Sequence, residues 1–265
     1  MLRGVSYRYP GAKADVLHGI DLDVAEGSIT GIVGPAEAGK STLCLVAGGL
    51  APRVVGGRLA GQVGIDGESV AHWPMHQVAQ EVVTGVQDPA GQLSLIAETV
   101  AEEVAFGPAN LGLPIEEIGD RVRDALHLVG IDELHDRDPA ALSGGQQQLV
   151  VIAGLLAMRP RHLVLDEPLA HLDDHGAGLV LAALRRAADA GMAVLVAEQR
   201  TAALAETADT LAAIGVGNII ARGRPRDVLD NPTLAQLGVE ALPEHRLRWR
   251  LEAAGLDPML LERRS

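Results

Sequence analysis

Aromatic side chains are almost missing: one Phe, two Tyr and two Trp make up 2% of the 265 residues. The core must therefore be built from Ala, Val, Leu and Ile, within an apolar content of 48%. Such a composition suits α/β layers, where buried parallel strands read as short aliphatic runs. Cysteine occurs once, at Cys44, which excludes an internal disulfide and points to a reducing compartment. No apolar run approaches the roughly 18–20 residues that span a bilayer. The longest, Leu149 to Met158, is interrupted by Gly154 and reads as a buried helix. Met1 to Tyr7 lack the apolar stretch of a signal peptide. A soluble chain is expected, with any membrane part on other chains. Positive charge is in deficit: 22 Lys and Arg against 35 Asp and Glu leave a net charge of −13. That sign repels nucleic-acid phosphates and anionic lipid, so no nucleic-acid partner is expected. It still permits a local basic pocket for a nucleotide. The length allows one large domain, alone or with a small appended piece.

Ile20, Leu22 and Val24 alternate with Asp21, Asp23 and Ala25, the period of a half-buried strand. Ile29 to Val33 is a short apolar strand that runs into a Gly-rich loop and then a helix from near Ser41. Asp66-Gly67, between apolar positions of Gly61 to Val70, marks a hairpin turn. Residues from about 89 to 141 read as a mainly helical insert, broken by Gly107-Pro108 and Pro114. Ser143 can cap a helix that runs to Met158 and stops before Pro160. His162 to Leu165 and Met192 to Ala197 are buried strands, with a helix over His175 to Ala190 ended by Gly191. Short strands follow near 211–222, and the tail from about 224 is helical. Strands alternating with helices predict an α/β fold with a mostly parallel sheet covered on both faces.

Gly34-Pro35-Ala36-Glu37-Ala38-Gly39-Lys40-Ser41 fits G-x-x-x-x-G-K-[ST]. The glycines allow a tight loop whose N–H groups aim at phosphate oxygens, and the following helix adds its positive end. Lys40 then reaches the β/γ-phosphates, Ser41 ligates Mg²⁺, and Thr42 adds a phosphate contact. Glu37 brings an acid to the loop and weakens phosphate binding unless it points outward. His162 to Asp166 is an aliphatic strand followed by Glu167 and Pro168. Asp166 at a strand end beside a phosphate loop can hold Mg²⁺ through water, and Glu167 is placed to polarise an attacking water. In Leu142-Ser143-Gly144-Gly145-Gln146-Gln147-Gln148, backbone amides and the Ser143 hydroxyl form a second anion-binding helix start.

This second cradle, about twenty residues before the Asp-Glu strand, resembles the LSGGQ signature of the ABC ATPase family. The resemblance covers nearly the whole chain. It implies a P-loop ABC cassette with a mainly parallel sheet, an antiparallel β subdomain and a helical subdomain. It also implies head-to-tail dimers, in which Ser143, Gly144, Gly145 and Gln146 contact ATP held on the partner's loop. Tyr9 matches the aromatic that stacks on adenine, though packing alone also explains it. Gln87 matches the glutamine that senses Mg²⁺ and the γ-phosphate and faces the membrane partner. Asp173, in His171-Leu172-Asp173, matches the aspartate that couples the two sites. Where the family has a histidine contacting the γ-phosphate, this chain has Gln199, in Val196-Ala197-Glu198-Gln199-Arg200. An amide donates a hydrogen bond but carries no proton near neutral pH, so a slow site is expected. The alternative is that Glu167 suffices and Gln199 only orients the phosphate.

Gln87 to Leu93, followed by Val100 to Pro114, resembles the energy-coupling-factor ATPases of vitamin and metal uptake. In that group a Pro-x-x-Gln element, here Pro89 to Gln92, meets helices of a transmembrane scaffold. The segment from Ala47 to Gly61 also resembles the first half of fused double-ATPase members. The resemblance implies an ATPase at the cytoplasmic membrane face, peripheral, joined to a second identical or different ABC ATPase. A scaffold subunit docks through residues 87–93, and a substrate-binding membrane subunit is engaged indirectly. The cassette is expected over 1–223, with the insert at about 89–141, and a helical extension over 224–265. Two readings stay beside it: a low-turnover subunit in which ATP mainly drives dimerisation, and a non-transport ABC ATPase. His72 and His76 read as a surface turn before a helix rather than a metal site. Cys44 reads as packing, and the arginines of Arg246 to Arg250 as a solvated helix face or a dimer contact.

Overall fold

The computed structural model describes residues 1–88, 90–170 and 172–257. Pro89, first in the Pro-x-x-Gln element, His171, before Leu172-Asp173, and residues 258–265 of the tail lie outside the described residues. The chain opens with β1 (Leu2–Arg8) and β2 (Leu17–Leu22), then enters the main sheet at β3 (Ile29–Val33) and continues into α1 (Lys40–Ala47). The strand expected over Ile20 to Val24 thus ends earlier, at Leu22. The reason is its partner: Leu22 pairs with Leu2, where β1 begins, so Val24 has no ladder left to join.

A hairpin follows, β4 (Arg58–Ile65) and β5 (Glu68–Ser69). Asp66 and Gly67 both take positive φ, 51° and 84°, as a two-residue hairpin turn requires. After α2 (Met75–Glu81) the chain returns to the main sheet as β6 (Val82–Gly85). The insert contributes a 3₁₀ turn at Ala90–Gln92, then α3 (Val100–Asn110) and α4 (Ile115–Val129). Residues 93–99 are irregular, because Thr99 caps α3 and the helix starts only after it. Next come α5 (Gly144–Ala157), β7 (His162–Asp166), α6 (Asp174–Asp189), β8 (Ala193–Ala197), α7 (Thr201–Thr207), β9 (Thr210–Gly215) and β10 (Asn218–Gly223). The tail adds α8 (Pro225–Leu229), α9 (Pro232–Gln236) and α10 (Pro243–Ala253).

The main sheet has the order β10-β9-β3-β8-β7-β6, parallel except for β10, and the second sheet, β2-β1-β4-β5, is antiparallel. The inner strands are apolar on both faces, as burial between layers demands. Leu163 and Leu165 of β7 face a core built with α3 to α6, whereas Val164 faces α1 and the antiparallel sheet. Val194 and Val196 of β8 share the first core, and Leu195 and Ala197 the second. Val228, Leu229, Leu234, Val239 and Leu242 of the tail join the helical-side core. Strands β3, β7 and β8 therefore end together at one edge, with Ile32, Ala197 and Asp166 in register. In parallel sheets this carboxyl edge is where ligands bind.

Candidate functional site

Strand β3 delivers the chain into the loop from Gly34 to Gly39. Gly34 has no room for a side chain, since a Cβ would lie 2.4 Å from the Ile214 carbonyl oxygen. Gly39, at φ 103°, precedes α1 with no side chain capping the helix. The first-turn N–H groups are thereby left for an acceptor from outside the helix, an arrangement suited to an anion. Lys40 is buried, and its Nζ donates to the carbonyls of Gly34 at 3.0 Å and Pro35 at 3.1 Å. Buried ammonium groups need such acceptors, and a phosphate is a stronger one. Ala38 and Thr42 are buried, whereas Ala36 and Glu37 are exposed, Glu37 at φ 61°. The hydroxyls of Tyr9 and Thr42 are 3.1 Å apart. Tyr9 also packs edge-on to Tyr7, with centroids 5.0 Å apart, so the aromatic sits against the cradle's own helix.

Asp166 ends β7 and is buried, with one carboxylate oxygen lacking any partner among the described residues. Burial raises its pKa, the Ser41 hydroxyl lowers it, the Glu167 charge raises it and Lys40 lowers it. A carboxylate oxygen without a donor, beside a hydroxyl, suits a hard cation that keeps water and phosphate oxygens in its shell. Among the described residues no group of three or more His, Cys, Asp or Glu could hold a metal unaided. Glu167 follows at φ 50°, in the left-handed region, its N–H tied to the Ala197 carbonyl at 2.8 Å. Such a conformation costs about 1–2 kcal/mol for a non-glycine residue and persists only when neighbours impose it. Both carboxylate oxygens of Glu167 accept: Oε2 from the Gln87 amide at 2.9 Å, Oε1 from the Gln199 amide at 2.6 Å. The structure thus brings together Gln87, Glu167 and Gln199, with Asp166, Ser41 and Lys40 beside them.

Ser143 and Gln146 lie elsewhere. They form a capping box on α5, with Ser143 Oγ accepting from the Gln146 N–H at 3.3 Å and Gln146 Oε1 from the Ser143 N–H at 3.1 Å. Asp173 caps α6 through the Gly176 N–H at 2.7 Å. Ser143, Gly145, Gln146 and Asp173 line one depression, whereas Gly34, Pro35, Ala36 and Gln199 line another. The Ser143 to Gln146 helix start therefore does not close over the Gly34 to Gly39 loop within one chain. Gln92 folds back to brace the Gln87 segment, accepting from the Val86 N–H at 2.9 Å and donating to the Val86 carbonyl at 2.8 Å. Beside it runs a groove lined by Thr84, Phe106, Gly107, Leu155 and Met158.

Two residues at this edge escaped the reading of the sequence. Glu198 is 2% exposed and accepts three backbone N–H bonds, and Arg200 donates to the Leu172 carbonyl at 2.7 Å. The only available signal was an acid next to Gln199 at the end of a wholly apolar strand.

A family model described as "ABC transporter" matches residues 17–170. The chain is 38% identical over 241 residues to an ABC transporter ATP-binding protein of Methanosarcina acetivorans, across 90% of this chain and 39% of that one. It thus spans well under half of that relative. It is 36% identical over 259 residues to EcfA of Methanothermobacter thermautotrophicus, named an energy-coupling factor transporter ATP-binding protein, across 97% and 81%. Among solved structures, cbiO1 of Clostridium perfringens, described as part of the ABC transporter complex cbiONQ, superposes with a TM-score of 0.78 at 27% identity, across 98% and 97%. An ATP-binding cassette solved as a post-hydrolysis dimer with ADP and Pi shares the fold, at TM-score 0.74 and 22% identity, across 84% and 97%. No helix among the described residues is long and apolar enough to cross a membrane. The chain belongs to the ABC transporter family, as an ATPase cassette resembling the ATP-binding subunits of energy-coupling factor transporters.

Proposed function

We propose that this cassette powers micronutrient import, of a vitamin or a metal ion, as one ATPase of an energy-coupling-factor transporter. The observation that carries the chemistry is the Glu167 carboxylate, held by the Gln87 and Gln199 amides one residue after Asp166, which itself lies beside Ser41 and Lys40 at the carboxyl edge of the sheet. In this reading the loop from Gly34 to Thr42 and the α1 amides cradle the phosphates, and Lys40 exchanges its carbonyl partners for phosphate oxygens. Tyr9 stacks on the base. Ser41 and Asp166, with Gln87, would hold Mg²⁺, which supplies charge neutralisation on the phosphate oxygens when bound. Glu167 orients and polarises the attacking water, and Gln199 donates toward the γ-phosphate.

Ser143, Gly145 and Gln146 line one depression, and Gly34, Pro35 and Ala36 line another. A second cassette, in head-to-tail arrangement, lets Ser143 to Gln146 of one chain reach the nucleotide of the other, with Asp173 at the shared boundary. The groove beside residues 87–93 is the face we assign to a transmembrane scaffold, and the substrate-binding membrane subunit is engaged through that scaffold. The cassette then spans 1–223 with the 89–141 insert, followed by the 224–265 extension, and lies peripherally on the cytoplasmic membrane face. The names of EcfA and of cbiO1, part of cbiONQ, support this assembly.

A second reading is favoured by one contact. The Gln199 amide is spent on Glu167 at 2.6 Å, which suits a slow site paired with a more active partner cassette. Affinity purification of the tagged chain from native membranes, with mass spectrometry, tests the assembly. A polytopic scaffold, a small membrane protein and an ATPase are the expected companions; ribosomal or DNA-repair proteins in their place overturn the transport reading.

A further inference from the structure

Glu198 carries a buried carboxylate at the end of the central strand β8, between the strand that leads to the phosphate loop and the strand that ends in Asp166. Its own N–H donates to the Ile32 carbonyl at 3.0 Å. Its Oε1 accepts from the N–H groups of Gln199 at 2.7 Å and Arg200 at 3.2 Å, and its Oε2 accepts from the Leu169 N–H at 3.1 Å. One side of the carboxylate thus grips the segment bearing Gln199, and the other grips the turn just after Glu167. The Gln199 amide closes the circuit on Glu167 Oε1 at 2.6 Å. Arg200 runs parallel to it, reaching the Leu172 carbonyl at 2.7 Å. A carboxylate that is 2% exposed is tolerable only because its oxygens meet donors.

We propose that Glu198 is a positioning residue for hydrolysis, holding Gln199 and Glu167 at a fixed separation through its three N–H bonds. The proposal rests on the ATPase reading of the same site. A carboxylate is needed because both oxygens must accept. In Glu198→Gln one of the two becomes an NH₂ donor facing an N–H donor, so one side of the circuit opens whichever way the amide lies. The backbone would remain close to its present path, but Glu167 and Gln199 would no longer share a brace. Misplacement of catalytic groups by about 1 Å costs up to ~10²-fold in rate.

The test uses the complex recovered through a tag on this chain, with ATP and Mg²⁺ as the probe. Steady-state kinetics and melting temperature are measured for the unmodified chain, Glu198→Gln, Gln199→Ala and the double variant. Glu198→Gln is expected to lower kcat about 10-fold or more, with KM for ATP held within about 2-fold. Added to Gln199→Ala, the same change should cost less than it does alone, because one of the two groups it positions is already gone. An unchanged kcat, a rise in KM that accounts for the loss, or effects that multiply in the double variant overturn the proposal. Should Glu198→Gln fail to fold, Glu198→Asp, which keeps the charge but shortens the reach, carries the same cycle with the same outcomes. An unmodified complex that neither binds nor hydrolyses ATP defeats the ATPase reading instead, so the two failures are distinguishable.

Discussion

The side-chain amide of Gln199 donates to Glu167 Oε1 at 2.6 Å, opposite the Gln87 amide on Oε2 at 2.9 Å. A carboxylate offers about four acceptor positions over its two oxygens, so the two amides hold Glu167 in place and still leave it room to accept from a water. Gln87 sits on the segment braced by Gln92 and beside the groove assigned to the scaffold, so movement there alters Glu167 directly. Gln199 sits on the other side, under the control of Glu198.

Replacing Gln199 by histidine tests whether this amide limits turnover. An imidazole can donate and can also exchange a proton near neutral pH, which glutamine cannot do. In Gln199→His, phosphate release by the complex should rise, toward the ~10²-fold that a positioned acid–base group supplies at the low end. An unchanged rate would mean that Glu167 alone serves as the base and that Gln199 only orients.

Glu167→Gln separates hydrolysis from binding. The shape is kept, and the phosphate loop, Lys40 and Ser41 are untouched. Turnover should fall by roughly 10²–10⁴-fold, while ATP is still retained by the complex. Single-turnover assays with labelled ATP distinguish this from a binding defect. Equal loss of retention and hydrolysis would place Glu167 in nucleotide binding and not in chemistry.

The tight loop from Gly34 to Gly39 was legible because its glycines answer to local sterics: Gly34 lies against Ile214 and Gly39 at positive φ. The capping role of Ser143 was legible for the same reason, since a cap is decided within one turn of chain. Strands β7 and β8 were legible from their unbroken aliphatic runs. What stayed hidden was contact across the chain. The Gln199 to Glu167 bond joins residues 32 apart, and Glu198 reaches Leu169, 29 apart; no local period encodes either. The N-terminal strand β1 was missed because Gly4 interrupts its alternation and a register shift separates Leu2 from Val5. The end of β2 was misjudged because pattern alone does not say where a partner strand begins.

Gly34→Ala tests the steric basis of the loop. A methyl group at 2.4 Å from the Ile214 carbonyl and 2.8 Å from its Cγ2 must push β9 and the loop apart. Overpacking of this kind costs about 1–3 kcal/mol, read as a lower denaturation midpoint. ATP affinity should fall with it, because the amides lose their common aim. Gly144→Ala is the control: a Cβ there meets nothing within 4 Å, so stability should stay within about 0.5 kcal/mol.

Asp166→Asn links stability to pH. Burial holds the Asp166 carboxyl above its ordinary range, with the Ser41 hydroxyl opposing and the Glu167 charge adding to the rise. The folded protein therefore keeps this proton to higher pH than the unfolded chain, whose value is about 3.9. Between those two values the folded state binds more protons than the unfolded state, so stability falls as pH climbs through the window. Above the folded value the whole penalty is in place. Asparagine keeps an acceptor for Ser41 and carries no charge, so the variant should melt higher than the unmodified chain near pH 8. That gap should shrink as pH drops toward 4. Glu198, also raised by burial, is present in both proteins and cancels in the difference. Magnesium with nucleotide should stabilise the unmodified chain more than the variant, since the anionic oxygen left without a donor is what the cation needs. Thermal melts at several pH values, with and without Mg²⁺ and nucleotide, decide the point: a gap independent of pH would overturn the raised proton affinity of Asp166, and equal stabilisation of both proteins would remove Asp166 from the metal-holding set.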